Sequence, residues 1–202
     1  MNALARTGMA AVLLAVPETA SAHAVLGVTG FFGGLLHALV VPSHVLAIVA
    51  LALLIGQQGW GHGWRLGWRF GAVAAYVVAV LAGLGAIALA IVPTLAEQAL
   101  LVFAMMAGLL AALARPLPPP LGALLAAAVG LSLALDSPPE AITLREANLA
   151  LVGTALGAAI VLLVLVQGTS RLRRDWQRIG ARIVGSWIAA SAILVLALRV
   201  AA

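Results

Sequence analysis

Apolar residues run through this chain in stretches of span length, not in the short alternations of a soluble or barrel fold. Six such stretches follow the first 22 residues, at about 25–56, 69–93, 96–114, 118–135, 146–168 and 180–201. A helix needs about 20 apolar residues to cross a bilayer, and a membrane strand only about half as many. The prolines at 116–120 and 138–139 fall in turns and not in the middle of a stretch, where a helix could not continue through them. The pattern predicts an all-α membrane protein, a six-helix transmembrane bundle forming one domain over residues 23–202.

Residues 1–22 read differently. Arg6 precedes a short apolar run at 9–16, Pro17 breaks it, and Ala20-Ser21-Ala22 has the small-x-small form of a cleavage site. This segment reads as a cleavable signal peptide whose removal makes His23 the new N-terminus. An uncleaved, poorly spanning anchor is the alternative, since the n-region carries a single positive charge.

Composition supports the membrane reading: 64% of the 202 residues are hydrophobic and 8% charged, with a mean hydropathy of +1.18. There is no cysteine, which excludes disulfides, thiolate metal sites and thiol redox chemistry. The net charge of +5 comes from arginine alone, and the arginines are sorted. Arg65, Arg69, Arg115, Arg171, Arg173, Arg174, Arg178 and Arg182 all fall in or beside the joints after the first, third and fifth stretches. Glu97, Asp136, Glu140 and Glu146 fall at the opposite joints. The positive-inside rule then places the mature N-terminus and the C-terminus in the periplasm of a bacterial inner membrane. It accounts for the basic charge by anionic lipid, so no nucleic-acid partner is needed. Trp60, Trp64 and Trp68 suit an interfacial belt, and Gly153 and Gly157 in GTALG suit close helix packing.

The chemistry concentrates in the first stretch, which carries His37 and His44 with Pro42 and Ser43 beside the second. Ionisable groups at membrane depth are costly and point to function. Seven residues on a straight helix turn through about 700° and rise about 10.5 Å, so the histidines share a face but stand too far apart for one ion. Pro42 should kink or break the helix between them, which would free backbone carbonyls toward a polar cavity. The plainer alternative is that each histidine hydrogen-bonds a hydroxyl or carbonyl on a neighbouring helix. Haem ligation is the weaker reading, because no other span offers a histidine. His62 falls in the tryptophan-rich joint and suits the interface.

The run AHAVLGVTGFFGGLLHALVVPSHVLAIVALALLIG resembles the first mature helix of the HupE/UreJ membrane proteins, whose motif is H-P-x-x-G-L-D-H-L-L-A-M. The match covers His23, Gly30, Phe31, Gly34, His37, His44, Leu46 and Ala47, and the last span is similar to the family's closing helix. Ser43 stands where the motif has aspartate, Ala38 where it has proline and Val41 where it has glycine. In place of the family's second histidine-rich motif the chain has GLSLALDSPPE. The resemblance implies a non-enzymatic permease or permease-like protein for a divalent transition metal, nickel or cobalt, serving hydrogenase or urease. Nitrogen and oxygen donors alone also suit copper(II) or zinc. The candidate metal ligands are His23, His37, His44, Asp136 and Glu140, with Pro42 and Ser43 shaping the site. No tightly bound cofactor is expected. The partners are the lipid bilayer, the metal ion, and a second copy or a membrane complex. A non-transporting accessory subunit that keeps the scaffold is the alternative function. No nucleotide-binding motif points to ATP coupling within the chain.

Overall fold

The computed structural model describes residues 29–58, 66–91, 93–139 and 143–201, all of whose regular elements are helices. In chain order these are α1 (Gly30–Val40), α2 (Pro42–Gln57), α3 (Leu66–Ala88), α4 (Ala96–Leu113), α5 (Pro119–Leu135), α6 (Leu144–Ser170) and α7 (Asp175–Ala201). The signal-peptide segment, His23, His62 and Glu140 lie outside the described residues.

The first expected span is two helices, bent by 67° at Val41. The residue before a proline is pushed out of the helical region, and Val41 is extended at φ −82, ψ 117. Pro42 then occupies the first position of α2, where its fixed φ suits a helix start and its missing N–H is no loss. The amide of Val41 still closes α1 on the carbonyl of His37, and Val45 opens α2 on the carbonyl of Val41.

Helices α3, α4, α6 and α7 are each long and apolar enough to cross a membrane, and the bent α1–α2 pair adds a fifth span if its halves act together. Helix α5 has 17 residues, about 25 Å at 1.5 Å per residue, against a hydrocarbon core of about 30 Å. The six expected crossings therefore become four or five by length, plus a shorter apolar helix. The expected span 69–93 also ends early, at Ala88.

Helix α2 is the axis, in contact with every other helix. From Ala47 to Gln57 nearly every side chain is buried. Because lipid is as apolar as leucine, burial alone does not hold helices together in a membrane, and close backbone approach must contribute. Gly34 of α1 lies against the backbone of Ala150 and Thr154, and Gly153 and Gly157 of α6 lie against the backbone of Phe31 and Leu35. The GTALG spacing is thus the seam that carries α1. Gly108 and Gly185 approach each other's carbonyls between α4 and α7, and Gly122 and Gly130 receive Trp68 and Tyr76 between α5 and α3. Outward faces carry large apolar side chains, among them Val78, Leu124, Val164, Trp187 and Leu194, in keeping with lipid around the molecule.

Side-chain contacts define two ends. At one, Gln58, the C-terminal cap of α2, donates to the carbonyl of Arg115 and accepts from the amide of Leu117, while Arg182 donates to the carbonyl of Ala112 at 2.9 Å. At the other, Arg199 pairs with Glu97 at 2.7 Å and His44 meets Asp136.

Candidate metal centre

The site begins at the α1–α2 break. His37 is in the last turn of α1, and His44 is the third residue of α2. On a straight helix they would be about 10.5 Å apart along the axis, but the bend brings their ring centroids to 5.0 Å, with planes inclined at 66°. His44 is fully buried, while His37 is partly exposed.

Asp136 completes the cluster from 92 residues away, at the C-terminal cap of α5. Its Oδ2 lies 3.0 Å from Nε2 of His44. Two helix ends act on this carboxylate. The negative end of α5 disfavours it and the positive end of α2, one turn of which holds His44, favours it. The contact keeps a carboxylate at the edge of an apolar bundle beside a donor, and its side chain retains 21% exposure to the outside. Nδ1 of His44 is buried with no hydrogen-bond partner among the described residues. A buried polar atom left unpaired costs about 1–3 kcal/mol, which a bound cation would offset.

Ser43 is buried beside His44, in the first turn of α2, and no side chain caps that turn. Pro42 is exposed and sets the break. Of the candidate ligands, His37, His44 and Asp136 are thus brought together, while His23 and Glu140 lie outside the described residues. Among the described residues, no three histidine, aspartate or glutamate side chains are disposed to hold one ion. His37, His44 and Asp136 therefore meet in pairs, ring to ring and ring to carboxylate.

The direct His44–Asp136 contact is the feature that sequence reasoning missed. The sequence marks Asp136 as a candidate ligand, but a separation of 92 residues carries no periodic signal that would pair it with His44. The Glu97–Arg199 pair, 102 residues apart, was missed for the same reason.

The family described as HupE / UreJ protein fits residues 11–195. Neither the curated proteins nor the solved structures offer a match.

Proposed function

The chain belongs to the HupE/UreJ family, and from that premise we propose that it captures a divalent transition metal at the outward end of its central helix and acts as an inner-membrane permease for it, nickel or cobalt first. The observation that carries this reading is the pair of histidine rings 5.0 Å apart at the α1–α2 break. Two imidazoles bound to one ion at about 2.1 Å, at roughly a right angle to each other, put their ring centres about 4.6–5.2 Å apart. The pair therefore has the spacing of neighbouring ligands, reached only because Pro42 breaks the helix. Asp136 adds negative charge at the mouth, which raises the local concentration of cations. His23 and Glu140 remain further candidate ligands, on the sequence reading alone.

A second reading draws on the core below the site. Ala47, Ile48, Ala50, Leu51, Ala52, Leu53, Leu54 and Ile55 are all apolar and buried, so about 12 Å of dry packing follows His44 toward Gln57 at 1.5 Å per residue. A cation cannot pass such a stretch without its rearrangement, because charge at membrane depth is costly. An accessory protein that binds metal and hands it to a partner needs no such passage.

Metal content of the purified protein and metal-dependent thermal stabilisation test the first step. Retention of nickel or cobalt by wild type and its loss in His37→Ala are expected, and no retained metal with no stabilisation overturns the capture reading. Uptake in cells separates the two functions. Accumulation above that of an empty vector supports the permease, and binding without accumulation supports the accessory protein.

A further inference from the structure

The capture reading leaves open which atoms face the ion, and the inference here rests on that reading. We propose that His44 presents Nδ1 to the metal, and that Asp136 is a positioning residue that holds the imidazole from its far side instead of binding the ion. A carboxylate only accepts hydrogen bonds, so the 3.0 Å contact places the ring proton on Nε2, donated to Oδ2. That tautomer leaves Nδ1 as the nitrogen with a free lone pair. Nδ1 is also the ring nitrogen that is buried without a partner. The same choice explains why no three acidic or imidazole side chains converge on one position among the described residues.

The arrangement also balances charge. The positive end of α2 would repel a cation held by His44, and the carboxylate beside it offsets that end. In other metal sites a carboxylate behind an imidazole fixes the ring's tautomer and orientation and raises its basicity. Here the chain has no carboxylate next to His44 in sequence, since Ser43 is at that position. The carboxylate arrives through the fold, from the end of α5. A centre of two neutral imidazoles with open positions for water favours nickel, copper or zinc over the hard cations that prefer carboxylate oxygen.

The test reads ring nitrogens directly. Full-length protein with 15N-labelled histidine, purified in detergent without metal, is expected to show His44 as the Nε2–H tautomer, its signals assigned by their loss in His44→Gln. Loading with Cd2+ as the probe should place the cadmium coupling on Nδ1 of His44. In Asp136→Asn the tautomer should become mixed, and the Ni2+ dissociation constant should rise by about 10–100-fold. A wild-type Nδ1–H tautomer, cadmium coupling on Nε2, or an unchanged Ni2+ affinity in Asp136→Asn overturns the assignment. If Asp136→Asn does not fold, the wild-type tautomer and coupling still decide it. Failure of wild type to bind any of these ions overturns the capture reading and the metal half of this inference with it. The tautomer of metal-free protein then still tests the hold of Asp136 on His44.

Discussion

Single residues set both the chemistry and the strain of this molecule. If His37 and His44 are ligands, alanine at either position should weaken Ni2+ binding by more than about 100-fold, beyond the effect of losing a supporting partner. Titration of the metal into purified variants measures it. If they serve only as hydrogen-bonding groups, His37→Asn and His44→Gln should preserve function and alanine should lower the melting temperature instead. Ser43→Asp restores the family's carboxylate at the residue next to His44, which itself contacts Asp136. Two like charges at the edge of the apolar core should lower the melting temperature of metal-free protein, and Ni2+ should restore it. Equal destabilisation with and without Ni2+ speaks against a metal site. A separate residue shows backbone strain: Ala114 ends α4 at φ 50, ψ 32, with its amide on the carbonyls of Leu110 and Ala111. Glycine takes that left-handed position without its Cβ clash, so Ala114→Gly should stabilise by about 1 kcal/mol, read as a raised unfolding midpoint.

At the scale of elements, the break between α1 and α2 matters more than either helix. Pro42→Ala returns an amide at the joint and lets the helices run together. The histidines should then move toward the roughly 10.5 Å rise of a continuous helix, and Ni2+ binding should fall even though both imidazoles remain. Spin labels at Phe32 and Gln58, near the far ends of the two helices, would show the change as a longer distance. The seam between α1 and α6 is the second device. A Cβ at Gly157 would meet the backbone of Leu35, and backbone cannot swing aside as a flexible side chain can. Gly157→Val should therefore cost about 1–3 kcal/mol as overpacking and displace His37 with α1. Thermal unfolding in detergent together with Ni2+ titration would show both losses. At Gly71, inside α3, where an added Cβ meets nothing within 4 Å, alanine should leave Ni2+ binding unchanged and lower the unfolding midpoint not at all, since it favours the helix over glycine.

The whole molecule has a direction. Among the described residues, the end formed by Gln58, Arg115 and Arg182 carries most of the arginines, and the end with Glu97, Asp136 and Glu146 carries most of the acids. With the arginine-rich end in the cytoplasm, a cysteine at the exposed Arg173 should be labelled only from inside, and one at the exposed Pro138 only from outside. External labelling at position 173 would invert the topology. Pro138 serves better than its neighbour Ser137, whose hydroxyl is buried and donates to the carbonyl of Leu133 at 2.7 Å.

The apolar run lengths by themselves determined the helical class and the membrane setting, because each span must satisfy its own backbone hydrogen bonds in lipid. They also located most of the joints, since proline and arginine act locally. The expectation of a kink at Pro42 was legible for the same reason: a missing amide and a clash with the preceding turn need no distant partner. The bend angle, the meeting of the two rings, and the arrival of Asp136 at His44 were decided only by the tertiary structure. A bend of 67° depends on which surface α1 packs against, and that surface is the glycine seam of α6, more than 110 residues away. The division of the first apolar stretch into two helices and the shortness of α5 also appear only in three dimensions, because an apolar stretch does not reveal how much of its length is spent on a break or a turn. Charge pairing between helix ends follows the order in which helices pack, and in lipid that order comes from side-chain shape more than from apolar burial.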